Sequence, residues 1–201
     1  MSEHPFAVAS RAVVLGSTSP YRRELLSRLR LTFDVAAPDV DESSLPGEAP
    51  AAMARRLAIA KAHAVAARFP QAVVIGSDQV ADLDGQPLGK PVTHEKAVTQ
   101  LRLMRGKTVV FHTAVAVVCR ASRFEQVELA PVRVIFRDYA EHEIEAYLRA
   151  EQPYDCAGSA RSEGLWIAML EAIESDDPSA LVGLPLIRTC RMLRAAGVKI
   201  L

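Results

Sequence analysis

The sequence predicts an α/β protein built on a mixed β-sheet flanked by helices, and three observations predict it. Valine-rich runs alternate with helical patterns through the first half of the chain. Two long neighbouring runs, 108–118 and 127–137, then follow one another in the manner of an antiparallel hairpin. Finally, 50% of the 201 residues are hydrophobic and only 5% aromatic, a composition suited to an aliphatic core within one domain spanning residues 1–201.

In chain order, Ala12–Gly16 reads as the first strand. Ser19 then caps a helix over Pro20–Arg30, with Pro20 at its first position and Leu25, Leu26 and Leu29 on the buried face. Phe33–Ala37 is a second strand. Pro50–Arg68 is a long helix, and Ala72–Ser77 a third strand. Thr93–Arg105 reads as a helix before the long hairpin, Ala140–Arg149 as one after it, and Leu184–Ala196 as the last. The Pro- and Gly-containing stretch around 46–50 and the acidic Ser175–Ser179 segment read as loops, and no repeat or long linker divides the chain.

Charge excludes several classes of function. Lys+Arg and Asp+Glu are both 24, so no net field collects nucleic acid or an anionic membrane. Any attraction for anions is local. Cys119, Cys156 and Cys190 form no CxxC pair, and three scattered thiols suit a reducing cytoplasm better than a disulfide framework. The start, Met-Ser-Glu-His-Pro, lacks the pattern of an export signal, and no apolar run reaches the roughly 18 residues of a membrane span.

The chemistry concentrates in a few stretches. Gly16-Ser17-Thr18-Ser19-Pro20-Tyr21-Arg22-Arg23 sets hydroxyls, a helix start and two arginines behind a strand. Free amides and the helix dipole favour an anion there, and Arg22 and Arg23 add bidentate donors. A solvated arginine pair on an ordinary capped helix is the alternative. Asp78 follows Gly76-Ser77 at the expected edge of a strand, where it can hold a divalent cation, serve as general base on water, or simply close a turn. Asp41-Glu42 is a second acidic site or a solvated loop.

Lys61 is an anomaly of pattern. Met53, Leu57 and Val65 recur every four residues along the long helix, and Lys61 falls inside that apolar stripe. An inward lysine either snorkels past its neighbours or neutralises a buried anion, and its packing favours anion contact. Asp84-Gly85-Gln86-Pro87 reads as a tight turn, after which Leu88-Gly89-Lys90-Pro91 offers a loop lysine. It is not a Walker A loop, because Asp84 stands where the first glycine would be and Pro91 follows the lysine. Cys156–Gly164 is a small-residue loop with Glu163 near its end, and Leu181–Leu186 reads as a plain connection into the last helix. No histidine or cysteine cluster has zinc spacing, so a hard cation on carboxylates is the metal the sequence invites.

Gly-Ser-Thr-Ser-Pro-Tyr-Arg-Arg-Glu-Leu, Asp41-Glu42, Lys61 in Leu-Ala-x-x-Lys-Ala, Gly-Ser-Asp-Gln, Gly-Lys-Pro, Ala-Gly-Ser and Val-Gly-Leu-Pro occur in order between about residues 12 and 195. Together they resemble the Maf family of nucleotide pyrophosphatases. The resemblance implies an elongated α/β fold similar to the inosine triphosphate pyrophosphatases, with a cleft between two lobes and often dimeric. It implies hydrolysis of a nucleoside triphosphate to monophosphate and pyrophosphate with a divalent cation, Mg²⁺ or Mn²⁺. It makes Asp78 the proton acceptor and Ser17, Arg22, Glu42, Lys61 and Lys90 polar residues of the cleft that binds substrate, with Arg23 in the same arginine pair. The charges agree, since Arg22, Lys61 and Lys90 can balance a triphosphate and Glu42 with Asp78 can hold the metal.

Three positions depart from the commonest pattern of that family: Tyr21 in place of Arg, Gln79 in place of Thr, and Glu163 in place of Gln. They resemble the branch acting on 7-methyl-GTP rather than the branch acting on dTTP and UTP. N7-methylation makes the guanine ring cationic, which the Tyr21 face attracts. Glu163 can accept from the N1–H and amino group while opposing that charge, whereas uracil would turn a carbonyl towards it. A dTTP/UTP pyrophosphatase is the nearest rival, and a nucleotide-binding regulator of cell division is the rival of another class.

Overall fold

The structure is a computed structural model that describes residues 11–201, so the reading of the Met-Ser-Glu-His-Pro start lies outside the described residues. A seven-stranded mixed sheet carries the fold. Its strands are β1 (Val13–Gly16), β2 (Phe33–Val35), β3 (Val73–Leu83), β4 (Gln86–Leu88), β5 (Thr108–Cys119), β6 (Phe124–Phe136) and β7 (Leu170–Glu174). The order is β2-β1-β3-β5-β6-β7, with β4 also on β3. β1 runs parallel to β2 and β3, and every other pairing is antiparallel.

Among the described residues five α-helices complete it: α1 (Pro20–Ser27), α2 (Pro50–Arg68), α3 (His94–Met104), α4 (Glu141–Glu151) and α5 (Leu186–Ala195). Their starts follow local chemistry. Ser19 Oγ accepts from the Arg22 amide, and Thr93 Oγ1 from that of Lys96. The Glu143 carboxylate turns back to accept from the Ala140 amide at 2.8 Å. α1 ends at Ser27, about one turn before the expected Arg30, because the chain breaks at Arg30 with φ +54° to enter β2.

Three buried clusters form the core. One, from Leu15, Leu26, Ile75, Val117 and Leu193, joins α1 and α5 to one sheet face. A second, from Val14, Ala58, Ala62, Val74 and Ala116, seats α2 on the opposite face. The third, around Phe111, Phe136, Tyr139 and Trp166, packs α3 and α4 at the far half of the sheet.

β3 departs most from expectation. Rather than ending at Ser77 it continues to Leu83, because it changes partners along its length. β5 pairs one edge from Val74 to Asp82. The other edge pairs β1 through Gly76 and β4 only from Ala81. Residues 77–80 therefore lie in a gap between two partner strands on that edge, and Asp78 sits inside the strand rather than at its end. The Asp84-Gly85 turn is tight as expected, both residues having positive φ, but Gln86 and Pro87 already belong to β4. β7 follows a short 3₁₀ turn at Leu165–Met169 and bonds along Arg133–Phe136 with a bulge, a strand too short and polar to be read from its pattern.

Candidate functional site

A cleft of about 390 Å³ opens at the gap in β3. One wall comes from Ser17 to Arg22, with Glu42, Lys61 and Asp78; the other from Lys90 and the loop Asp155–Glu163; Leu181–Gly183 closes one side. Nine of the ten side chains singled out from the sequence thus line one cavity. Arg23 is the exception: it is exposed and lines a separate shallow groove beside Phe33 and Val35. Consecutive helical residues point roughly 100° apart, so the helix that turns Arg22 inward turns Arg23 outward.

The centre of the cleft is an ion cluster. Lys61 Nζ lies 2.7 Å from Asp78 Oδ1 and 2.7 Å from Glu42 Oε1. Alternation along β3 puts Val74, Gly76, Asp78 and Val80 on the face covered by α2, and the buried side of α2 runs Leu57, Lys61, Val65. The contact needs close approach of helix and strand. Gly76 supplies it, because a Cβ there would meet the Ala58 carbonyl at 2.3 Å and the Ala62 amide at 2.5 Å. Lys61 is therefore inward and paired with acids, the anion-contact reading of its pattern.

Burial raises the Asp78 carboxyl above the ordinary aspartate range. Lys61, by charge and hydrogen bond, and then Arg22 oppose that rise, while Glu42 adds to it. Arg22 is itself held by the fold: burial lowers its pKa, with Asp78 and Glu42 opposing. Its Nε donates to the Gly183 carbonyl at 2.9 Å and Nη1 to Ser17 Oγ at 3.4 Å. Ser17 Oγ also accepts from the Ser19 amide, so the helix start and the arginine share one hydroxyl.

The opposite face of β3 presents Ser77 and Gln79. Ser77 Oγ lies 2.8 Å from the Ala114 carbonyl and 2.9 Å from that of Gly183. The Gln79 amide nitrogen meets Thr113 Oγ1 at 2.9 Å and the Ala180 and Leu181 carbonyls at 3.0 Å each. With the NH₂ group committed there, the side chain offers the cleft its carbonyl oxygen, an acceptor. Leu181–Leu186 was expected to be a plain connection. It is instead a 3₁₀ turn through Val182 followed by Gly183 at φ +117°, and its carbonyls hold the cleft side chains Gln79 and Arg22 together with the buried Ser77.

At the other end, Tyr21 stands among Asp155, Cys156, Arg161 and Glu163. Burial raises its hydroxyl pKa most, Cys156, Asp155 and Glu163 add to the rise, and Arg161 opposes it. The Cys156 thiol is pushed up to about 12 by burial and by Asp155, which favours the neutral thiol over the thiolate. Lys90 reaches the cleft from beside Gly89, whose carbonyl accepts from the Gly158 amide at 3.2 Å. Asp155 escaped the sequence reading, and Ser77 and Gly183 entered it only as members of motifs, without a role. An acid beside a cysteine carries no periodic signal, and the role of Gly183 lies in a carbonyl that every residue has.

For a metal, the donors are the Glu42 and Asp78 carboxylates, which already converge on one cation, Lys61 Nζ. Among the described residues no group of three or more His, Cys, Asp and Glu side chains is placed to hold an ion. Two carboxylates fit a hard cation that draws its other ligands from water and phosphate oxygens, and do not fit zinc. No helix among the described residues is long and apolar enough to cross a membrane.

Comparison with known proteins agrees with the motif order. The Maf-like protein family matches residues 12–196. A 7-methyl-GTP pyrophosphatase from a Polaromonas species is 74% identical over 189 residues, covering 94% of this chain and 86% of the relative. One from Albidiferax ferrireducens is 68% identical, covering 95% of this chain and 96% of the relative. Among solved structures, the Staphylococcus aureus Ham1 protein aligns over 64% of this chain and 73% of its own at 18% identity, with a TM-score of 0.46.

Proposed function

Because the chain belongs to the Maf family, we propose that it hydrolyses 7-methyl-GTP to 7-methyl-GMP and pyrophosphate. The observation that carries the reading is the division of charge in one cleft. Arg22, Lys61 and Lys90 supply the cations a triphosphate needs, while Tyr21, Asp155 and Glu163 gather at the far end an aromatic face and two carboxylates. A neutral pyrimidine has no use for two acids; a cationic purine with N–H donors does.

Arg22, Lys61 and Lys90 neutralise and orient the triphosphate, and Ser17 holds Arg22 in place. Asp78 orients a water against the α-phosphorus and takes its proton as the oxygen–phosphorus bond forms. The bond from the α-phosphorus to the bridging oxygen breaks, and pyrophosphate leaves. Glu42 and Asp78 would hold the Mg²⁺ or Mn²⁺, which supplies charge to the leaving group. Lys61 would then turn from the carboxylates towards phosphate. A cytoplasmic location accords with the three free thiols, and a homodimer is the expectation carried by the family.

The test is pyrophosphate release by the purified protein over a panel of 7-methyl-GTP, GTP, dTTP and UTP, with and without Mg²⁺. Preference for 7-methyl-GTP and dependence on the cation are expected. Preference for UTP or dTTP would move the protein to the other branch, and tight binding without turnover would favour a regulator.

A further inference from the structure

One buried acid belongs to neither half of the ion cluster. Asp177 is 0% exposed, in the segment that reads from the sequence as an acidic loop.

Asp177 Oδ1 accepts from Ser179 Oγ at 3.0 Å, and Oδ2 from the Arg188 amide at 3.0 Å, with Arg188 Nη1 at 3.6 Å. Ser179 Oγ in turn accepts from the Leu186 amide at 2.7 Å. Asp177 and Ser179 thus fasten the turn 178–182 to the first turn of α5. What that turn carries is a row of carbonyls. Ala180 and Leu181 hold the Gln79 amide, Ala180 also accepts from Thr113 Oγ1 at 2.8 Å, and Gly183 holds Arg22 and Ser77. Gln79, one of the positions expected to set specificity, and Arg22, expected on the triphosphate, are therefore clamped by one strap.

We propose that Asp177 is a positioning residue for substrate recognition: through Ser179 it fixes the strap 180–183, which sets Gln79 and Arg22 together. This rests on the pyrophosphatase reading above. Lys61 and Asp78 are held by α2 and β3, not by the strap, so loosening it weakens recognition while the hydrolytic step persists.

The test is steady-state kinetics of Ser179→Ala and Asp177→Asn on 7-methyl-GTP and UTP, with melting curves to confirm folding. For Ser179→Ala, which loses both the bond to Asp177 and the one from the Leu186 amide, the expected result is a KM for 7-methyl-GTP raised about fivefold. kcat should hold, and the preference for 7-methyl-GTP over UTP should narrow. Asp177→Asn should do the same more strongly. A merely structural role would lower kcat per mole of protein and leave KM and preference alone, and that outcome in the folded Ser179→Ala variant overturns the proposal. A wild-type protein without preference for 7-methyl-GTP overturns the functional reading and this inference with it; wild-type preference unchanged in both variants overturns this inference alone.

Discussion

Lys61 Nζ lies 2.7 Å from Asp78 Oδ1 and 2.7 Å from Glu42 Oε1, so one cation joins two carboxylates carried by different parts of the chain. Removing it leaves Asp78 buried beside a like charge. Lys61→Met should destabilise the fold by about 3 kcal/mol near neutral pH. The pH dependence has a definite sign. The folded pKa of Asp78 is already raised, and losing Lys61 raises it further. A group of that kind contributes stability below its unfolded pKa and loses it as pH rises through the folded value. The deficit of the variant should therefore shrink on acidification, read by denaturant unfolding at several pH values. A deficit independent of pH would mean that Lys61 stabilises by packing alone.

As the proposed base, Asp78 should also set the acid limb of activity. Only the carboxylate can take a proton from water, so kcat/KM should fall as pH drops through a pKa above the ordinary aspartate range. Asp78→Asn should lose about 100-fold or more in kcat. If that variant kept both its rate and its acid limb, another group would be the base.

Gly76 sets the distance between α2 and β3. A methyl group there would press on the backbone of Ala58 and Ala62, which cannot give way as a flexible side chain would. Gly76→Ala should cost about 3 kcal/mol or more and displace Lys61 from Asp78, with loss of both melting temperature and activity. A variant of native stability would show that the helix can shift freely.

How far the site could be read beforehand depends on what each residue's role consists of. Lys61 was legible because a charge interrupts a helical stripe, and Arg22 because a helix start follows a strand. The position of Asp78 within a strand was not, since the gap in β3 arises from where β1 ends and β4 begins, a tertiary fact. Arg22 and Arg23 are the same residue type side by side, and only the helix phase separates them. Asp177 sits among Ser, Asp and Pro, a composition that reads as solvated loop, yet its partners lie up to 11 residues onward in the chain.

Glu163 separates two ways of reading a base. GTP and 7-methyl-GTP present the same N1–H and amino edge and differ in the charge on the ring, so comparing them isolates electrostatics from hydrogen bonding. Glu163→Gln keeps an acceptor and removes the charge. If the carboxylate opposes the cationic ring, kcat/KM for 7-methyl-GTP should fall about tenfold while that for GTP changes little. Asp155 remains on the same wall and keeps part of the preference, so the discrimination should narrow rather than vanish. An equal loss on both nucleotides would place Glu163 on the N1–H edge alone. No change on either would remove it from base recognition and leave Tyr21 as the group that meets the ring.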